Sequence, residues 1–260
     1  MNELKDSRDE SHVPPDEVFA MAVAEEQKAR HKALHRWFLI KCAIGLALFV
    51  LVIGILSQPV ILKSVKKMDM TQAISNSKQI YLLMMDFESD CGFFPDDDTE
   101  ADVEFLHGFR GQHSNDYLGQ LIAGGYTKSE EIFYAFDKRY SAKPDDVISP
   151  REKILQKGEC GFGYVRAEEK IKGKNLVRGL STSDKGGLPI LIAPIVDVDG
   201  RVEPRSYKER GVYLRVDGSA RSERLDSYNK IRVGPRTLFD TGEGTVWGTE
   251  LKPVILLPER

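Results

Sequence analysis

Cysteine and histidine are scarce in this chain, with three and five copies among 260 residues. No His-Glu-x-x-His run and no Gly-x-Ser-x-Gly elbow occurs, which removes the commonest zinc-hydrolase and serine-hydrolase signatures. His107 and His113 stand six apart without a Cys or His at zinc-site spacing, so a surface pair is the reading. Cys160, within Glu159-Cys160-Gly161-Phe162-Gly163, has no identifiable base beside it. The chain is therefore read as a non-enzyme with no catalytic residue, no metal ligand set and no cofactor. Basic stripes are also missing: the net charge is -3, which argues against nucleic acid as a partner. A last absence is local, since no Asp or Glu occurs between Trp37 and Leu62.

That acid-free stretch holds the strongest signal. From Trp37 to Ser57 only Lys41 interrupts an apolar run, and at 1.5 Å per helical residue it spans about 30 Å, the thickness of a bilayer core. Lys41 lies one turn inside, where its stem can rest in lipid while the ammonium reaches the head groups. Trp37 belongs to the interfacial aromatic class. A cleaved signal peptide would begin nearer Met1 and end at small residues, and Ile55-Leu56-Ser57-Gln58-Pro59 is a poor cleavage site. A retained single-pass anchor with span ends at Trp37 and Ser57 is expected, and lipid is its first partner. Charge leaves orientation open: Lys28, Arg30, Lys32 and Arg36 precede the span, and Lys63, Lys66, Lys67 and Lys78 follow it.

The expected organisation has four parts: 1–36, a charged, helical tail; 37–57, the transmembrane helix; 58–90, a continuation of that helix; and 91–260, an α+β domain. Pro59 predicts a kink where the helix leaves the bilayer. No Gly or Pro occurs from Val60 to Asp90, and the greasier end, Ile80 to Phe87, is expected to dock on the domain core. Cys91-Gly92 supplies a stop and Pro95-Asp96-Asp97-Asp98 a turn.

Within the domain, Ser114 to Gly124 predicts a short amphipathic helix, and Pro150 opens a further helical turn. Beyond Gly158 strand signals dominate: Gly161 to Ala167, Pro189 to Val198, Gly211 to Val216, Ala220 to Leu225 and an edge at Val254 to Leu257. Asp199-Gly200 and Asp217-Gly218 are hairpin dipeptides, and strands joined this way form an antiparallel sheet.

Several stretches carry a family resemblance. Ile53-Gly54-Ile55-Leu56 with Pro59, then Gln72 to Leu83 (Gln-Ala-Ile-Ser-Asn-Ser-Lys-Gln-Ile-Tyr-Leu-Leu), then Asp86 to Pro95, and finally Leu214 to Ala220 stand in order. Together they resemble the type IV pilin and type II secretion pseudopilin superfamily over most of residues 53–260. The resemblance implies a long N-terminal helix, half membrane anchor and half core element, packed on a small antiparallel sheet. It also implies a bacterial inner-membrane location, tail in the cytoplasm and domain in the periplasm, with a structural or interaction role beside secretion or pilus-like apparatus proteins. In that compartment Cys91 and Cys160 are candidate disulfide partners, free buried thiols being the alternative.

Two departures accompany the likeness. The family's processing site, a glycine followed by Phe-Thr-Leu-Ile-Glu, is missing, and Lys41 or Gly45, depending on register, replaces the intramembrane glutamate. Processing and filament packing, hence homo-oligomerisation, are left open. The alternative is a membrane-tethered binding module that keeps the fold, does not assemble, and uses the loops between residues 96 and 160.

Two other places offer oxygen ligands for calcium, Asp197-Val198-Asp199-Gly200 and Asp96-Asp97-Asp98. A β-turn and a solvated loop are the simpler readings, since EF-hand spacing does not follow Asp197. Gly242 to Gly248 has the wrong spacing for a phosphate loop and reads as a turn. Tyr117, Phe133, Tyr134 and Phe136 are read as core aromatics rather than a binding patch.

Overall fold

The computed structural model describes residues 15–139 and 142–260, with side chains from 28 onward except 29, 31, 33–35 and 54–63. Helical backbone runs over Pro15–Cys91 (α1), and the chain divides into two compact units, Met1–Ile61 and Leu62–Arg260. The kink expected at Pro59 and the span end at Ser57 fall on side chains outside the described ones.

In the first unit, the 18-residue window Arg36–Ile53 has a mean hydropathy of 2.2, and none of it is buried. Among the described residues, one helix is thus long and apolar enough to cross a membrane. The Lys41 ammonium lies 3.5 Å from the centre of the Trp37 ring, a cation held on an aromatic face at the N-terminal end of the window.

In the second unit, α1 contributes a buried stripe. Ala73, Ser77, Ile80, Met84 and Phe87 are each fully buried, at the three- and four-residue steps that put side chains on one helix face. Burial therefore begins at Ala73, seven residues before the apolar composition rises, because the polar Asn76 and Ser77 also face inward. Asn76 Nδ2 donates to the carbonyls of Glu131 and Tyr134 at 3.1 and 2.8 Å. Tyr81 Oη donates to the Val216 carbonyl at 2.8 Å, which ties the helix to a strand end. Gly92, at φ +89, ends the helix as expected, its N–H reaching the Glu88 carbonyl.

The turn expected at Pro95 to Asp98 is instead the start of a short helix, α2 (Asp97–Asp102). The reason is a reciprocal cap: Asp96 Oδ1 accepts the Thr99 N–H, and Thr99 Oγ1 accepts the Asp96 N–H. Helix α3 (Ser114–Ala123) matches its expected bounds and buries Tyr117, Leu118, Leu121 and Ile122. A helical turn at Arg151–Lys153 follows Pro150, as the sequence predicts.

Eight strands follow: β1 (Gly163–Ile171), β2 (Lys174–Arg178), β3 (Pro189–Ala193), β4 (Arg210–Arg215), β5 (Ala220–Arg224), β6 (Arg232–Val233), β7 (Arg236–Thr237) and β8 (Leu251–Leu256). The main sheet has the order β2-β1-β3-β4-β5 with β8 also on β1, every pairing antiparallel. The protein is thus a mixed α+β molecule built on an antiparallel sheet. Strand β3 stops at Ala193 rather than Val198, because Pro194 has no N–H to give the ladder. Strand β1 begins two residues later than expected and extends to Ile171, and β8 begins three residues earlier.

Both Asp-Gly dipeptides turn the chain. Ile195 pairs with Val202 across Asp199-Gly200, and Leu214 pairs with Ala220 across Asp217-Gly218. Gly218 is required twice over. Its φ is +75, and a Cβ there would stand 2.6 Å from the Tyr81 ring that α1 lays across the hairpin.

Candidate functional site

Two sites hold buried or half-buried carboxylates, in different electrostatic settings. The first forms where α2 meets β1. Arg166, its side chain only 4% exposed, places Nη2 2.8 Å from Asp97 Oδ2. Its Nη1 donates to Tyr117 Oη at 2.9 Å, and Tyr117 in turn donates to Asp97 Oδ1 at 2.6 Å. Arg110 adds a second cation, with Nε 3.3 Å from Asp97 Oδ1. Burial works to raise the Asp97 pKa, but the Arg166 and Tyr117 hydrogen bonds outweigh it and hold the carboxyl below its ordinary value. Burial, with Asp97 as its acceptor, pushes the Tyr117 hydroxyl up to about 12. Every partner here is supplied by the chain, so this group is a structural strut.

The second group is Glu130, Asp145 and Glu159. Each contributes a carboxylate oxygen, and these oxygens lie within 4.8 Å of one another. Glu130 is fully buried and Glu159 is 6% exposed, whereas Asp145 is open to solvent. Glu130 Oε1 accepts the Leu155 N–H at 2.7 Å and Glu159 Oε2 accepts the Gln156 N–H at 2.6 Å. Asp145 Oδ1 accepts the Val147 N–H at 2.8 Å. Glu130 Oε2 has no hydrogen-bond partner.

Among the described residues no Lys or Arg pairs with any of the three. Burial, followed by the charges of Glu159 and Asp145, raises the Glu130 pKa despite the Leu155 N–H. Burial and Asp145 do the same to Glu159. Three acids packed together without a cation are chemically incomplete.

The residues singled out in the sequence lie elsewhere. Asp197 spends Oδ1 on the N–H groups of Asp199 and Arg201 and Oδ2 on the Arg201 guanidinium at 2.5 Å. Its carboxylate closes a β-turn. Asp96 and Asp97, expected in a solvated loop, are a helix cap and the Arg166 strut, because their oxygens are claimed by Thr99, Gly179 and Arg166. Gly242 to Gly248 closes on itself, Gly242 donating to the Gly248 carbonyl at 2.6 Å, as a turn would. Tyr117 and Phe133 are core residues, with Tyr134 and Phe136 half-buried beside them. His107 Nε2 is 3.3 Å from the Ala101 carbonyl and His113 Nδ1 is buried without a hydrogen bond; among the described residues neither joins a group of three side chains that could hold a metal.

Cys91 and Cys160, the candidate disulfide partners, each carry a free thiol in this structure. Cys160 is sealed in the core, 3.4 Å from the Phe162 carbonyl, and burial pushes its thiol up to about 11. Cys91 is half-buried at the end of α1 beside Tyr126 and Asp90, which is a different environment. Burial raises the Cys91 thiol as well, so neither cysteine is activated as a thiolate.

A cleft of about 370 Å³ opens between His107, Phe109, Asp116, Arg151 and Glu259, and the Arg151 guanidinium sits 4.7 Å over the Phe109 ring. A groove of about 410 Å³ runs along α1 past Asp69, Asn76, Glu131 and Tyr134. No family model, curated protein or solved structure matches this chain.

Proposed function

We propose that this is a single-pass protein of the bacterial inner membrane, with its tail in the cytoplasm and a pseudopilin-like domain in the periplasm. It serves as a structural or interaction component related to type II secretion or type IV pilus-like systems, and it performs no catalysis. The observation that carries the reading is a contrast within α1. Arg36–Ile53 is apolar with none of its window buried, whereas the stripe from Ala73 to Phe87 is core to an antiparallel sheet. An apolar surface that size, free of protein cover, is what lipid covers.

The lack of an acid between Trp37 and Leu62 supports a permanent anchor over a filament subunit, because no intramembrane carboxylate is available to pair with a neighbour. A C-terminal alkaline phosphatase fusion is expected to be active, since that reporter folds only outside the cytoplasm. An inactive phosphatase fusion paired with a bright C-terminal cytoplasmic fluorescent fusion would overturn the topology. Intact mass should show no new N-terminus near Trp37.

A second reading, a tethered binding module that does not assemble, is favoured by the open groove along α1. Cross-linking in membranes separates the two. Self-adduct ladders or adducts with secretion components support assembly, and a single unrelated adduct supports the module.

A further inference from the structure

We propose that Glu130, Asp145 and Glu159 form a binding site for a hard divalent cation of calcium's size. The proposal goes beyond the membrane reading and makes no use of its topology. Three observations lead to it. The three carboxylates converge, with an oxygen of each within 4.8 Å of the others. Calcium holds its oxygens at about 2.3–2.6 Å, so two of its ligands lie at most about 5 Å apart and the cluster can close on one ion with little movement. Magnesium, at about 2.0–2.1 Å, allows at most about 4.2 Å and demands stricter geometry.

The second observation is independent of the clustering. Glu130 is fully buried, and its Oε2 has no hydrogen bond. Oε1 of the same carboxylate is already taken by the Leu155 N–H. The Asp146 N–H lies near enough to lower the carboxyl's pKa but leaves Oε2 without a hydrogen bond. A buried acid oxygen left bare is costly, and a bound cation removes that cost.

Third, the described residues supply the cluster with acids and no counter-charge. The fourth acid of the loop, Asp146, does not complete the set, because its Oδ1 accepts the Glu130 N–H at 2.6 Å and the Ser129 hydroxyl at 3.2 Å. It shapes the loop around the site instead. The remaining ligands of a calcium ion would be water and backbone carbonyls, since Asp145 is open to solvent and gives an entry side.

The position of the site gives the cation a structural job. Glu130 immediately precedes the turn Glu131–Phe133, and the carbonyls of Glu131 and Tyr134 are those that Asn76 of α1 binds. Glu159 immediately precedes Cys160, in the segment that leads into β1. A cation joining Glu130 to Glu159 would therefore link the α1 docking turn to the entrance of the sheet, with Asp145 drawing in the loop between them.

The test uses the full chain in detergent, stripped with a chelating resin and titrated with CaCl2 or MgCl2. Calorimetry should show one saturable calcium class. Thermal unfolding should rise by about 5 °C at a hundredfold excess over Kd. Asp145→Asn changes an exposed side chain and should fold normally; it and Glu130→Gln should each weaken calcium uptake at least about tenfold, by loss of a charged ligand. Asp98→Asn, an acid outside the cluster, should leave uptake unchanged. No saturable calcium uptake would overturn the proposal, as would uptake undiminished by Asp145→Asn and Glu130→Gln, or a magnesium response as large as that to calcium.

Discussion

Asp97 is a half-buried carboxylate and Glu130 a fully buried one, and their pKa values move in opposite directions. Asp97 meets Arg166, Tyr117 and Arg110, which hold it ionised. Glu130 meets Glu159 and Asp145, which together with burial make ionisation harder. The residue type does not distinguish them; the neighbours do. A carboxylate whose counter-charge lies within the chain is part of the fold. A carboxylate whose neighbours are more carboxylates is waiting for something the chain does not supply.

The comparison is broken most severely by removing the arginine. Arg166→Met deletes a side chain that is 4% exposed and leaves Asp97 with Tyr117 and, as its one remaining cation among the described residues, the exposed Arg110. Breaking one partner of a buried pair costs about 3–5 kcal/mol, and the 27% exposure of Asp97 places this case at the lower end, about 3 kcal/mol. Urea unfolding of the full chain in detergent, followed through the buried Trp247, reads it. A loss below about 1 kcal/mol would mean that Arg110 and solvent already satisfy Asp97.

Acid should act next on the same side of the comparison. Asp97 and Asp184 both have pKa values held below the ordinary carboxylate range. Burial opposes the shift at both. The Arg166 and Tyr117 hydrogen bonds overcome it at Asp97, and the Arg178 hydrogen bonds do so at Asp184. Arg178 grips Asp184 with two nitrogens, each at 2.8 Å. A depressed folded pKa means that the unfolded chain takes up protons first. The stability from these pairs is thus complete above the unfolded value of about 3.9 and is lost as pH falls through the lower folded values. Unfolding free energy should therefore decline below about pH 4, and Asp97→Asn should flatten part of that decline. An unchanged slope in the variant would remove Asp97 from the account.

Why the Asp-Gly turns and α3 were legible in the sequence, and the two acid groups were not, follows from chain geometry. Asp199-Gly200 and Asp217-Gly218 turn the chain because adjacent residues contain the whole signal. Ser114 to Ala123 is a helix because its apolar spacing is local. Strand β2, Lys174–Arg178, gave no such signal: it is polar and largely exposed, and its partner residues Glu168, Glu169 and Lys170 are charged. The turn that makes it, Lys172-Gly173 with both φ positive, rests on a lysine in the left-handed region. The acids Glu130, Asp145 and Glu159 are fifteen and fourteen residues apart in irregular segments, so no spacing rule joins them. The adjacent pair Asp145-Asp146 was the single trace. Arg166 was equally hidden, since one arginine in a strand has no visible partner until α2 folds over it.

The finest test reverses the sign of a carboxylate mutation between the two sites. In cation-free buffer at neutral pH, Asp97→Asn removes an ion from an arginine and should destabilise. Glu130→Gln and Asp145→Asn each remove a negative charge from a group that has no positive one. Glutamine keeps an acceptor for the Leu155 N–H, and its amide can donate toward Asp145 or Glu159. Relief of like-charge repulsion at this range is worth about 0.5–1 kcal/mol, so Glu130→Gln should raise the unfolding free energy by that amount and Asp145→Asn by less, its side chain being solvated. Saturating calcium should reverse the order, making wild type the most stable of the three, because only it keeps the full charge for the ion. A stabilised variant without cation and a stabilised wild type with it must occur together. If Glu130→Gln destabilises in both conditions, the bare Oε2 is a packing feature, and the two acid groups differ in degree rather than in kind.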